Sequence, residues 1–420
     1  MADASTPADD KVQVGLSAGL LSFAVLLGGG QGGLGDTFVQ LVALLLLAYL
    51  MAGSPSARQR IRGLPLRAWM PLSLLLVPLL QMLPIIPSAR QTLGPERALW
   101  CLLPGLALYI SALTLNARQQ RRLLGLVLVL ALLALVVGLM QVAAGQDSAL
   151  YFYGNTNRGS AVGFFANRNH LAALLLMALP LSLAAAAFAL SMRGGSRPFG
   201  FLPIVAATGL AVLLILGLAL TRSRAGLLLG MLALLLSTPM LFSLRRHHGV
   251  KRVFALIVAL SLVLTVQFAL YGILQRLQSD PLGDQRWQIA ATTIEAARLH
   301  SPAGSGLGTF RQVFQALDTK APGSAIVNHA HNDYLELWLE AGWPFVALSS
   351  VFVGFILWAG FGAWRSSDSR HSLAARAVSI SLLLMLLHSA LDYPLRTTGN
   401  QVVFALLLAI LLSWKWTKET

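Results

Sequence analysis

Two histidines and a carboxylate stand together where a long apolar stretch begins. The segment from Asn328 to Tyr334 reads NHAHNDY, and mostly apolar residues follow it. Ionisable side chains at the mouth of a membrane helix are uncommon and mark functional positions. A neutral imidazole near pH 7 can accept a hydroxyl proton, so His331 or His329 is a candidate general base. Asn332 or Asp333 is a candidate for orienting that base.

Two other interpretations of this cluster stay open. A His-x-His pair with a nearby aspartate can bind zinc, but the chain offers neither an HExxH pattern nor a cysteine pair. Asn332 can also simply cap the helix. We predict no metal and no cofactor, and we expect Asn332, Asp333, Tyr334 and His329 to contact the substrate.

Arginines form the second group of candidates. Arg222 and Arg224 lie in LTRSRAG between two apolar stretches, Arg168 lies in ANRNH, and Arg286 stands beside Trp287. An arginine at a membrane boundary is costly unless it pairs or binds an anion, and the guanidinium group fits a phosphate well. These side chains are therefore candidate ligands of an anionic substrate.

Each arginine also has a simpler interpretation. Arg222 and Arg224 can extend to lipid headgroups. The asparagines beside Arg168 can cap a helix, and Arg286 can form a surface ion pair with Asp284.

A third polar group follows a later apolar stretch, where His388 precedes Asp392, Tyr393 and Arg396. Its spacing favours a supporting substrate contact by His388 or an ion pair between Asp392 and Arg396.

The elements that carry these side chains are predicted to be membrane-spanning helices. Of the 420 residues, 56% are hydrophobic and 11% are charged, which excludes an ordinary soluble domain. A spanning helix needs about 20 mostly apolar residues. We predict an all-α, polytopic transmembrane bundle of about twelve spans, at roughly 12–34, 37–53, 68–84, 98–115, 122–142, 169–192, 200–221, 224–243, 252–272, 333–362, 374–391 and 400–415.

The basic residues predict how this bundle is oriented. Most lysines and arginines fall at the termini and in the connections after the second, fourth, sixth, eighth and tenth spans. Short basic loops stay in the cytoplasm, so both termini are expected inside and every candidate residue above is expected outside. Much of the net charge of +15 is then a topology signal, and we expect no nucleic-acid partner.

The connection at 273–332 is too polar to span and too long to be a passive link. We predict a periplasmic loop subdomain between spans at 1–272 and spans at 333–420. Trp287, Ala290, Ile294 and Ala297 have helical spacing, which predicts a membrane-surface helix from 286 to 300.

A glycine-rich segment, GSGLG at 304–308, follows that helix. It lacks the GK[ST] ending of a phosphate loop, so we predict a tight structural turn, with ligand contact as the alternative.

All candidate residues fall on one side of the membrane, whereas a secondary transporter places polar groups near the midplane. The implied chemistry is an anionic, lipid-borne ligand held by arginines, with a base that activates a hydroxyl. Glycosyl transfer from a lipid diphosphate needs both the arginines and the base.

Five segments resemble motifs of the O-antigen ligase and polymerase superfamily of bacterial inner membranes. His331-Asn332, nine further residues and Gly342 match one motif, although Phe345 stands where the family often has Gly, Thr or Tyr. The segments are GFFANRNHLA at 163–172, LTRSRAGLLLG at 220–230, RWQIAATTIEAARLHSPAGSGLGTF at 286–310, HNDYLELWLEAGWPF at 331–345 and HSALDYPLRTTGN at 388–400.

This resemblance implies a metal-independent, inverting transfer of a glycan from undecaprenyl diphosphate to an acceptor hydroxyl. It assigns the donor diphosphate to Arg224 and Arg286, and activation of the acceptor to His331. Binding roles for Arg222 and Arg168 come from the residues themselves, and His329 is a possible second histidine.

The preferred expectation is an O-antigen ligase that acts at the periplasmic face of the inner membrane, in contact with membrane lipid, on a lipid A-core acceptor. A polymerase of the same superfamily would use a glycan acceptor. An oligosaccharyltransferase shares the motifs but often has a further periplasmic domain, and a polyprenyl-lipid flippase would bind the diphosphate without needing His331.

Overall fold

Helices make up all the regular structure in the described part of the chain. The computed structural model describes residues 7–30, 32–83, 94–154, 157–191, 202–242, 285–317, 327–366 and 369–416, with positions 259, 263 and 267. These residues contain no strand, which confirms the all-α prediction. The α-helices are α1 Pro7–Leu27, α2 Leu34–Ala48, α3 Pro55–Arg62, α4 Leu66–Trp69, α5 Leu76–Gln81, α6 Gly94–Thr114, α7 Ala117–Ala144, α8 Arg168–Ser191, α9 Leu202–Leu220, α10 Arg224–Phe242, α11 Gln285–Leu299, α12 Phe310–Leu317, α13 Asp333–Trp364, α14 Ser369–Ser389 and α15 Thr398–Trp416.

Many of these helices have the length and apolar character that crossing a membrane requires. Within the described residues, 7 meet both conditions, and a pair bent by 104°, Pro55–Arg62 with Leu66–Gln81, brings the number to 8 if it forms one span. Shorter apolar segments, of 10–17 residues, form most of α9, α10 and α15. The chain is thus a multi-pass membrane protein. The count of twelve stays a prediction, and the proposed span at 252–272 lies almost wholly outside the described residues.

α8 is the central helix of the bundle. Each residue from Leu171 to Leu179 is at most 1% exposed. α7, α9, α10 and α14 pack around it. A helix that is apolar on all sides is covered either by other helices or by lipid, and here the neighbouring helices cover it. These neighbours hold the start of α8, which carries Arg168, in a fixed position.

The loop before α8 is tied down by one buried glutamine. The Gln141 side chain donates to the carbonyls of Leu150 and Gly163, both at 2.8 Å. Its oxygen accepts from the backbone N–H groups of Val162 and Gly163 at 3.0 and 2.9 Å. Buried polar groups need such partners, so this one side chain fixes the path of the loop towards α8.

α13 is broken at Gly342, where φ is 64° and ψ is −158°. Only glycine adopts this conformation readily. A Cβ at this position would lie 2.1 Å from the Pro302 carbonyl oxygen. That carbonyl accepts a bond of 2.9 Å from the Trp343 N–H. The backbone after α11 therefore packs directly into the break.

The glycine-rich segment forms a tight turn against the same break, as predicted. Gly304 has a φ of 86°, and the N–H groups of Ser305 and Gly306 donate to the carbonyls of Leu339 and Glu340 at 2.8 and 2.9 Å. The turn thereby joins α11 to the first half of α13.

α11 occupies the predicted positions and packs against another helix. The helix rests on α13 through Ile289, Thr293, Ala296 and Ala297, which are nearly inaccessible. Trp287 is 78% exposed. The position at the membrane surface and the division at 273–332 stay predictions.

Candidate active site

Asp392 is the centre of a cluster built from four parts of the chain. It follows α14 in a short loop, and its side chain is 1% exposed. His331 Nδ1 lies 3.1 Å from Oδ1, and Arg286 Nη2 lies 3.7 Å from Oδ2. The Asn169 side-chain amide also donates to Oδ2. One carboxylate therefore contacts the candidate base, a candidate phosphate ligand and the start of α8.

The Asp392 carboxylate is held in its ionised form. Burial by itself would raise the pKa of Asp392, but the hydrogen bond from His331 and the nearby charges, including Arg286, keep that pKa below its ordinary value. An ionised carboxylate only accepts hydrogen bonds. His331 Nδ1 therefore carries a proton towards Asp392, which leaves Nε2 as the proton acceptor.

His331 is placed by the residues on either side of it. Its backbone has a φ of 51°. The next residue, Asn332, caps α13 by accepting from the N–H groups of Tyr334 and Leu335 at 3.0 and 3.1 Å. The Asp333 N–H donates to the Asp392 carbonyl at 3.3 Å. The His331 side chain is 30% exposed, so the ring can be reached from outside.

The orienting residue differs from the two that the sequence suggested. Asn332 is engaged as a helix cap and donates to the Ala390 carbonyl at 2.9 Å. Asp333 pairs with Arg396 at 3.6 Å. Asp392 contacts His331 instead, because the loop after α14 closes over the start of α13.

Two of the four candidate arginines, Arg286 and Arg168, lie near this carboxylate, and the other two lie near Arg168. Arg168 interacts electrostatically with Arg286, Arg224 and Arg222, and with Asp392. Arg286 also donates to the Leu391 carbonyl at 3.1 Å. Its proposed alternative partner, Asp284, lies outside the described residues. Four neighbouring guanidinium groups repel one another, so their assembly favours an anion between them.

Two turns present these arginines. Arg222 and Arg224 are exposed at either side of the buried Ser223, whose hydroxyl accepts from the Gly226 N–H at 3.0 Å and starts α10. Asn167 accepts from the Asn169 N–H at 2.9 Å and caps α8. Helix capping by asparagine is therefore present beside the half-buried Arg168.

The ring of Tyr393 is surrounded by three histidines. Its centroid lies 4.3 Å from that of His329, 5.1 Å from that of His331 and 5.0 Å from that of His170. Burial raises the pKa of Tyr393 to about 12, and its hydroxyl accepts a long bond of 3.5 Å from Asn167. Tyr393 is therefore a neutral packing surface for the imidazole rings.

His329 has its own carboxylate partner. Its Nδ1 lies 2.8 Å from Glu336 Oε1, while Glu336 Oε2 accepts from the Ala330 N–H at 2.9 Å. Glu336 also lies 3.3 Å from Arg396 Nη2. The two histidines of the motif are thus held by two different acids.

Of the two alternatives for the third polar group, the ion pair between Asp392 and Arg396 is not formed among the described residues. Arg396 lies instead within 4 Å of three carboxylates on α13, at 3.6 Å from Asp333, 3.3 Å from Glu336 and 3.4 Å from Glu340. These acids recur at helical spacing and share one buried face. Asp392 lies closer to the segments that carry His331 and Arg286.

Two other predicted substrate contacts face the protein interior. His388 is completely buried, and neither of its ring nitrogens has a hydrogen-bond partner among the described residues. The Tyr334 hydroxyl donates to the Leu386 carbonyl at 2.9 Å. The Tyr334 contact joins α13 to α14, and the His388 carbonyl accepts from the Asp392 N–H at 2.9 Å.

No three His, Cys, Asp or Glu side chains converge as metal ligands in the part of the chain that the structure describes. Metal independence stays a prediction.

The sequence did not reveal the contacts that Asn169, Glu336, Tyr393 and Asp392 make in the site. All four are polar or aromatic residues at the mouths of predicted spans, and that position was the available signal. Their partners lie far away along the chain, as in the contact between Asn169 and Asp392. No helical spacing encodes such a contact.

Comparison with known families supports the assignment drawn from the motifs. Residues 209–350 match the family model described as O-antigen ligase. The matched segment runs from α9 into α13 and contains Arg222, Arg224, Arg286, His329 and His331. No curated protein matches the chain. Residues 209–350 thus match an O-antigen ligase domain, which supports the resemblance to the O-antigen ligase superfamily that the motifs indicated.

Proposed function

We propose that this protein transfers a polysaccharide from undecaprenyl diphosphate to a hydroxyl of a lipid A-core acceptor, without a metal and with inversion at the anomeric carbon. The observation that carries the proposal is the shared contact of Asp392 with His331 at 3.1 Å and with Arg286 at 3.7 Å. One residue joins a base to a phosphate ligand, which is the pairing that this reaction needs.

The arginine cluster would hold the donor diphosphate. Arg224 and Arg286 are the principal ligands, and Arg168 and Arg222 extend the cluster. Negative charge grows on the diphosphate as the glycosidic bond breaks, and fixed guanidinium groups stabilise that charge more in the transition state than in the bound donor. The leaving group then needs no further cation.

The acceptor step would use His331. Nε2 removes the proton from the acceptor hydroxyl, and the oxygen attacks the anomeric carbon. The bond from that carbon to the phosphate oxygen breaks, and its electron pair leaves with the lipid diphosphate. Asp392 keeps Nδ1 protonated and stabilises the imidazolium that forms, a role worth several orders of magnitude in other histidine-dependent enzymes.

The proposed setting is the bacterial inner membrane, with both termini in the cytoplasm and the site facing the periplasm. The basic connections support this orientation. Membrane lipid would surround the bundle, and the donor would approach from the bilayer.

A second candidate is a polysaccharide polymerase of the same superfamily, which would use a growing glycan as acceptor. The matched family segment is compatible with either acceptor. A polyprenyl-lipid flippase is a different class of protein, and it gives no reason for an ionised partner at His331.

Deletion of the gene in its host separates these functions. A ligase predicts that lipid-linked polymer accumulates while the lipid A-core stays unmodified. Single lipid-linked repeat units would instead support the polymerase. Repeat units trapped on the cytoplasmic leaflet would support the flippase and contradict glycan transfer.

A further inference from the structure

His331 is one of two residues other than glycine that have a positive φ in the described part of the chain, and Arg222 is the other. A side chain in this left-handed region strains the backbone. Such a conformation persists only where neighbouring contacts enforce it. Both strained residues belong to the candidate active site. Contacts on either side of His331 must hold it in this conformation.

The contacts after His331 come from Asn332, which bonds to the start of α13 and to Ala390, and from the Asp333 N–H. Before His331, the hydrogen bonds of residues 329 and 330 lead to Glu336. This carboxylate accepts from the Ala330 N–H at 2.9 Å and contacts His329 Nδ1 at 2.8 Å. Glu336 lies one helical turn into α13. The helix therefore binds residues 329–330, which precede its own first turn.

Glu336 is supported by a buried cation. It is 1% exposed and lies 3.3 Å from Arg396 Nη2. Burial by itself lowers the pKa of Arg396, but Glu336, Glu340 and Asp333 raise it above its ordinary value. Arg396 therefore stays charged and offsets the cost of burying a carboxylate at this position.

We propose that Glu336 is a positioning residue for the base: by holding residues 329–330 it fixes His331 in its left-handed conformation, with the imidazole against Asp392. This inference rests on the proposed function for its effect on rate, but its geometric content is independent. Glu336 does not contact Asp392 or the four arginines in the described structure, so donor binding does not depend on it.

The matched pair Glu336→Gln and Glu340→Gln tests this role. Both acids are buried on one face of α13 and contact the same nitrogen of Arg396. Glu340 bonds to the Phe310 N–H at 3.2 Å, away from His331. We expect Glu336→Gln to lower kcat by about 10²-fold, as displacements near 1 Å do, and to leave KM for the donor within about two-fold. Glu340→Gln should keep kcat near that of the wild type.

Wild-type kcat in Glu336→Gln would overturn the positioning role while leaving glycan transfer intact. An equal loss of kcat in Glu340→Gln would also overturn it, because both acids would then have only a general structural function. If Glu336→Gln does not fold, Glu336→Asp decides in the same way, because it keeps the charge but is one methylene shorter.

A structure of the folded variant tests the geometry without any assay. We expect the His331 ring to leave its position 3.1 Å from Asp392. An unchanged contact would overturn the proposal even if transfer itself proved to be absent.

Discussion

At the residue scale, Asp392 is the most important residue of the proposed mechanism, because it contacts both the candidate base and a candidate phosphate ligand. Folding lowers its pKa. The ionised carboxylate therefore stabilises the folded protein at any pH above its unfolded value of about 4, and this stabilisation is lost as the pH falls through the lowered folded value.

We expect Asp392→Asn to lower the thermal unfolding midpoint in detergent at pH 7. The difference from the wild type should stay level down to about pH 5 and shrink below about pH 4. Asp147→Asn, in an exposed loop, serves as the control with no expected difference. A difference in unfolding midpoint between Asp392→Asn and the wild type that grows as the pH falls would contradict the ionised pairing with His331.

The sequence identified the chemically capable residues better than their partners. His331, Arg224 and Arg286 stand out because charged and imidazole side chains are rare beside apolar spans. For Asp392 the sequence suggested an ion pair with Arg396, four positions away, as one of two alternatives, because spacing can suggest only contacts between neighbours along the chain. The carboxylate belongs to His331, which is 61 positions distant.

At the element scale, the break in α13 decides where its first half lies. That half carries Glu336 and begins just after His331. Helical spacing predicted a single span here, and Pro344 was a signal of a break. The contact with residues 302–304 that fills the break depends on the packing of α11, which the sequence leaves open.

We expect Gly342→Ala to destabilise the protein by about 2 kcal/mol or more, because alanine there is strained and meets the Pro302 carbonyl. Gly354→Ala is the matched control on the same helix, where a Cβ has nothing within 4 Å. That change should be neutral or slightly stabilising. Thermal unfolding midpoints in detergent measure the stability of both variants. Equal midpoints for the two would argue against the helix break at Gly342.

At the scale of the whole molecule, the proposed reaction requires every candidate residue to face one side of the membrane. α7 offers a direct test because its ends, Ala117 and the loop at Asp147, are exposed. After Cys101→Ser removes the one native cysteine, a membrane-impermeant maleimide applied to intact spheroplasts should label Asp147→Cys and leave Ala117→Cys unlabelled. Labelling of Ala117→Cys alone would invert the topology and place the site in the cytoplasm.

The hydropathy of the chain predicted the membrane bundle because burial of apolar side chains in lipid is encoded locally. Eleven of the predicted spans overlap helices that the structure describes. The order in which helices surround α8 was not predictable, since leucine and alanine offer the same surface to many neighbours.

The most direct measurement is glycan transfer in vitro. Purified protein in detergent is mixed with undecaprenyl-diphosphate glycan and lipid A-core in excess EDTA, and products are separated on a gel. We predict that the wild type and the control His300→Ala modify the core, while His331→Ala loses about 10²- to 10⁴-fold in rate. A donor-linked ladder would indicate a polymerase. Transfer at the wild-type rate by His331→Ala, or transfer that needs a divalent ion, would contradict the account.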